Sequence, residues 1–217
     1  NLDTVGSPGS YANALTVASV DNVGQTGNYL TFGGKTVFFS ETSGGSNAPI
    51  ATMDKSEDGS GTEYKFVLFE NTGVDGDGNS LLTDYADDIE GKVVMVYRGT
   101  SSFYQKHDAV AAAGGVACIV VNNQAGTINM DLSDSKATIP CVSITLADGK
   151  AITAAATAVT NDSDEVLYYT GTVTVSGQVG SATGDSEYYT MSSFSSWGVP
   201  GDLSLKPEIT APGGNIY

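Results

Sequence analysis

Few residues in this sequence have the types and spacings that do chemistry. His107 is the only imidazole in 217 residues, so a serine–histidine nucleophile pair could draw on that one position alone. Ser193, Ser195 and Ser196, in SSFSSWG, are plentiful hydroxyls but carry no nucleophile motif. Asp75, Asp77 and Asn79, in VDGDGNS, alternate oxygen donors as the start of a Ca²⁺ loop does. The twelfth position from Asp75 is Ala86, where such a loop needs a bidentate carboxylate, although Asp84, Asp87, Asp88 and Glu90 stand close by. A solvated acidic turn is the reading preferred here, with Ca²⁺ as the alternative. Cys118 and Cys141 sit in the apolar runs VACIVV and IPCVSI. They read as buried free thiols, with a disulfide between neighbouring strands as the alternative. One histidine and no CxxC pair exclude the usual zinc sets.

The elements that would hold these groups follow from pattern. Lys92–Tyr97 (KVVMVY) and Val116–Val121 are continuous apolar runs and predict strands buried on both faces. Between them Ser102 starts a helix with Gln105 at the capping-box position, and Gly114-Gly115 stops it. Phe103, Val110 and Ala111 mark its apolar face. Ile139–Ile144 predicts another strand, followed by Thr145 as N-cap and Asp148 three residues on, opening an Ala-rich helix. Val37–Phe39, Tyr64–Phe69 and Glu165–Ser176 predict further strands, and the turn-rich residues 40–61 between two of them predict exposed loop. Residues 14–20 (ALTVASV) suit a strand of a parallel sheet covered on both faces.

Composition narrows the function. Nine basic against 25 acidic side chains give a formal charge of −16, which repels nucleic-acid phosphates and anionic lipid. Solubility of a secreted protein is the preferred reading of that charge and an acidic recognition surface the alternative, which would attract Ca²⁺ or basic peptide segments. No apolar run is long enough to span a bilayer.

Two resemblances join these observations. GKVVMVYRGTSSFYQKHDAVAAAGGVACIVVNN followed by IPCVSITLADGKAI is similar to the protease-associated (PA) domain, most recognisably over residues 60–176. The flanks TVGSPGSYANALTVASVDN and SSFSSWGVPGDLSLKPEITAPGGNIY resemble consecutive pieces of a subtilisin-like serine protease core, of the lactocepin type, in which a PA domain interrupts the catalytic domain. The expected fold class is therefore α+β and mainly β: a PA-type sandwich or barrel with two or three helices, flanked by strand remnants of a subtilisin-like α/β core. The expected division is 1–22 and 191–217 as core remnants, with 23–190 inserted. The remnants would expose apolar strand edges at residues 14–20 and 207–211, pairing with each other or with a second copy.

The resemblance also assigns roles. Gly6 matches the glycine that lines the family's S1 substrate pocket, an ordinary turn glycine being the alternative. Asn1 lacks the Gly-Asn context of the family's oxyanion residue, and no residue is assigned to catalysis. The implied function is a non-catalytic PA-domain portion of a secreted, cell-envelope-attached serine endopeptidase, acting as an exosite or gate for protein or peptide substrates. A stand-alone peptide-binding module or a structural spacer is the alternative. No cofactor is expected beyond the Ca²⁺ alternative at Asp75.

Overall fold

Runs of β-branched residues separated by glycine-rich turns give this chain eleven strands and three α-helices among its described residues. A computed structural model describes residues 6–21, 24–183, 191–192, 194–196 and 206–214. In chain order the elements are β1 (Val17–Asp21), β2 (Gly24–Phe32), β3 (Lys35–Phe38), β4 (Ser40–Glu41), β5 (Thr62–Leu68), a short α1 (Ala86–Ile89), β6 (Val93–Tyr97), α2 (Phe103–Ala112), β7 (Ala117–Val121), β8 (Cys141–Ile144), α3 (Leu146–Ala155), β9 (Thr157–Thr160), β10 (Val166–Thr183) and β11 (Ile209–Gly214). They divide into two units, one made of residues 1–27 with 180–217 and the other of residues 28–179.

In the 28–179 unit the strand order is β3-β2-β10-β5-β6-β7-β8-β4, with β9 paired to β10. β5, β6, β7 and β8 are parallel neighbours, as the strand–helix–strand pattern requires. The first and last strands of that order, β3 and β4, are separated in sequence by Phe39 alone. The sheet therefore curls into a nearly closed barrel. Phe66, Leu68, Met95, Ile119, Val142 and Val173 fill its inside, and Ile152 of α3 packs onto the same cluster. Val67, Val94, Val96 and Val120 point the other way, onto α2 and onto Ile128, Met130 and Leu132 of the β7–β8 connection. Covering both faces explains why the central strands show no polar alternation.

Both helix starts follow their sequence signals. Ser102 and Gln105 form a reciprocal capping box on α2, and Thr145 Oγ1 accepts the Asp148 amide while donating to its carboxylate on α3. Gly114 ends α2 at φ 88°, where a side chain would collide with Glu90. The buried face of α2 differs from expectation. Lys106, His107, Ala109 and Val110 are its buried residues, because loops on either side supply hydrogen-bond partners that no helical period records. The 40–61 stretch also holds more than loop. It carries β4 and a 3-10 helix, Ile50–Met53, whose Ile50 and Met53 enter the barrel core. β2 was hidden by its polar, glycine-punctuated sequence.

In the other unit β1 and β11 run parallel, in register from Val17↔Ile209 to Val20↔Pro212. Here the expectation of two covered faces fails. β1 alternates, with Ala18 and Val20 buried while Val17 is 50% exposed. Lys206 is buried; its ammonium donates to the Ala14 carbonyl and pairs with Glu208.

Candidate functional site

In the unit of residues 1–27 and 180–217, Gly6 borders an open pocket of about 280 Å³ together with Gly9, Thr16, Ser19, Phe194 and Ser195. A Cβ built on Gly6 meets nothing within 4 Å, whereas one on Gly9 would meet the Gly6 carbonyl at 3.1 Å. A side chain at position 6 would therefore project into free space. The hydroxyls near this pocket are tied to one another. Ser195 Oγ accepts the Ser19 amide at 3.0 Å, and Ser192 Oγ bonds Ser19 Oγ at 2.9 Å and donates to Asp21 at 2.6 Å. No imidazole is among these partners, so this cluster shapes a surface rather than activating an oxygen. Asn1 and Ser193 lie outside the described residues.

The lone histidine is fully buried. Its Nδ1 meets Ser135 Oγ at 2.8 Å and its Nε2 meets the Ile139 carbonyl at 2.8 Å. Ser135 Oγ donates to Asp108 Oδ1 at 2.6 Å, and the same oxygen accepts the amides of Lys136 and Ala137. Serine, histidine and aspartate thus meet, but the wiring differs from a catalytic relay. In a relay the carboxylate orients the base, which then faces the serine. Here Asp108 holds the serine itself, and both ring nitrogens are occupied. Burial pushes the imidazole below its ordinary range, against the opposing pull of the Ile139 carbonyl and the Asp108 charge. Burial alone would raise the Asp108 carboxyl, but the bonds from Ser135, Ala137 and Lys136 hold it below the usual carboxylate range. The cluster fastens the β7–β8 connection to α2.

At the carboxyl ends of the parallel strands the chain gathers two basic side chains, both bonded within the fold. Arg98 follows β6 and donates from Nη1 to Asn122 Oδ1 at 3.3 Å, just after β7. Lys106, fully buried, donates to the Thr72 carbonyl at 2.8 Å and to Ser101 Oγ at 2.7 Å, joining the loops after β5 and β6. Burial lowers its pKa to about 8. Sequence periodicity gave no sign of this lysine, because its partners come from loops distant in sequence.

Asp75 uses its carboxylate within its own turn. Oδ1 accepts the amides of Asp77 and Asn79, and Oδ2 accepts Asn79 Nδ2 at 2.9 Å. Those bonds, led by the Asn79 side chain, hold the Asp75 carboxyl below its usual range. Among the described residues no three His, Cys, Asp or Glu side chains are gathered as a metal set. Cys118 and Cys141 are register partners on β7 and β8, both fully buried and free. Contact with Cys118, then burial, raises the Cys141 thiol well above its ordinary value, which disfavours its reactive thiolate form.

Residues 48–152 match the family described as the PA domain. The chain is 32% identical to the PIII-type proteinase of Lactococcus lactis subsp. cremoris (strain SK11), over 99% of this chain and 10% of that protein. It is 28% identical to the Minor extracellular protease Vpr of Bacillus subtilis (strain 168), over 98% of this chain and 23% of that one. Aminopeptidase YwaD of the same organism is 38% identical over 72 residues, 32% of this chain and 16% of its own. The chain thus spans a small part of the length of the relatives it matches. Its barrel, its capped helices and these matches agree: residues 48–152 are a PA domain, carried in a chain that resembles bacterial proteinases over nearly its whole length.

Proposed function

We propose that this chain is a non-catalytic portion of a secreted, cell-envelope-attached subtilisin-like serine endopeptidase, and that its PA domain is an exosite or gate for protein substrates. The observation that carries this reading is the connectivity. The 28–179 unit is continuous, and the other unit is made of the segments before and after it, so the PA unit is tethered at both ends. A unit held by two chain crossings stays close to the enzyme that carries it, where it can sort large substrates by contact or exclusion. The similarity to proteinases on both sides of the PA match supports the same parent. In this reading Gly6 keeps its pocket open for a substrate side chain, and the open space at its Cβ position supports that role.

Catalysis is assigned to the remainder of the parent protein. The single imidazole is buried with both nitrogens engaged. The 217-residue chain, added in excess to the parent protease, should slow cleavage of a large unfolded protein and leave a short chromogenic peptide unaffected. By itself it should hydrolyse neither. Inhibitor-sensitive hydrolysis by the chain, or no effect on protein cleavage at saturating excess, would contradict the proposal.

A further inference from the structure

β10 changes partners along its length. Tyr169 and Thr170 pair with β5 on one side and with β9 on the other, which places β9 on the edge where β2 also lies in the strand order. β2 ends at Phe32 and β9 begins at Thr157, and the break between them is an open groove of about 330 Å³. Phe32, Phe66 and Ile152 supply apolar walls, and Ala151 and Ala155 of α3 are small enough to leave the space unfilled. Lys35 stands at the groove already paired with Asp148 at 3.4 Å.

Two further features adjoin this groove. Among the described residues β9 pairs with β10 alone, leaving its outer edge of backbone donors and acceptors available, and Thr157, Ala158 and Thr160 are exposed. β9 leads into a tight hairpin whose tip carries exposed Asp162, Asp164 and Glu165. Four residues of extended strand span about 13 Å, so the acidic tip stands one short strand away from the apolar groove.

We infer that the groove and the outer edge of β9 form a docking site for an extended segment of a protein substrate. The segment adds antiparallel to β9, places one large aromatic or aliphatic side chain in the groove, and sets basic side chains against the acidic tip. Antiparallel addition supplies the more stable ladder. The acidic tip, on a chain of net charge −16, selects basic over acidic flanks. This inference rests on the exosite reading and names its surface.

Acetyl-Lys-Lys-Thr-Val-Thr-Phe-amide, titrated onto the full chain by calorimetry, is a suitable probe. Binding should weaken by about tenfold or more when its Phe becomes Ser, a loss expected for an anchor side chain. Exchanging its lysines for glutamates should weaken it too, as should Asp162→Lys in the protein. Ala155→Trp, which fills the groove from an exposed helix position, should abolish binding while leaving the thermal transition in place. Equal binding by Ala155→Trp, indifference to the Phe→Ser change, or no binding at millimolar probe would overturn the docking site. A concentration-dependent mass that Ala155→Trp removes would assign the surface to a second copy of the chain, and would overturn it equally. If the Ala155→Trp chain still slows protein cleavage by the parent protease, the exosite reading survives with its surface elsewhere.

Discussion

The two units of this chain bury their apolar residues to different extents. In residues 28–179 the strands β5–β8 are covered on both faces, and the exposed large apolar side chains are Leu81, Val166 and Val179. In the other unit the described strands form a two-stranded parallel sheet, and Tyr11, Leu15, Val17, Phe194 and Ile209 are 48% to 71% exposed. Parallel sheets are stable when both faces are packed, and two strands alone do not supply that. The first unit has a core packed on both faces of its sheet; the described strands of the second leave apolar side chains uncovered.

The largest test of this contrast is to separate the parts. Residues 28–179 produced alone should melt in one cooperative transition, and residues 1–27 joined by a flexible linker to 180–217 should show none. Circular dichroism during heating distinguishes the two, and a cooperative flank piece would break the comparison. Within the 28–179 unit, Lys106→Ala should lower stability by about 2–4 kcal/mol in denaturant titration, through a cavity and two lost donors.

Lys106→Met should cost less and should remove a distinctive pH dependence. The folded-state pKa of about 8 lies below the ~10.4 of an unfolded lysine. The unfolded chain therefore binds more protons between those values, so stability rises with pH across that window and is lost as pH falls through it. The slope should be present in the parent chain and absent from Lys106→Met. His107 acts in the same direction at lower pH. Its depressed pKa means that stability falls as pH drops below about 6.5, and His107→Gln should flatten that limb. Asp108→Asn should cost about 1–2 kcal/mol by weakening charge-assisted bonds to the β7–β8 connection. The smallest effect belongs to the other unit: Leu15→Ser with Val17→Ser should move the 28–179 transition by less than about 0.5 kcal/mol. The same pair should reduce self-association measured by light scattering.

The sequence made the two-sided strands legible because VVMVY and ACIVV admit no other placement, and the capped helix starts at Ser102 and Thr145 because capping is local chemistry. The resemblance of both flanks marked residues 14–20 and 207–211 as strand edges but left open whether they pair with each other or with a second copy; Val17–Val20 pair with Ile209–Pro212 of the same chain. What stayed hidden was non-local. Lys106 and His107 are polar residues on a helix, and only the loops carrying Thr72, Ser101, Ser135 and Ile139 make their burial affordable. β2 pairs through its backbone with few apolar side chains to announce it. The groove beside β9 exists because α3 places alanines there and because two strands share one edge of β10, neither of which has a sequence period.

The central claim is that the PA unit governs access of protein substrates to an active site it does not itself contain. The most direct measurement is kcat/KM of the parent protease for a large protein and for a short chromogenic peptide, with and without residues 28–179. On this account, removing the unit changes the ratio of the two values, with short-peptide cleavage persisting while protein cleavage shifts. An equal loss of both would contradict it and make the unit a structural spacer.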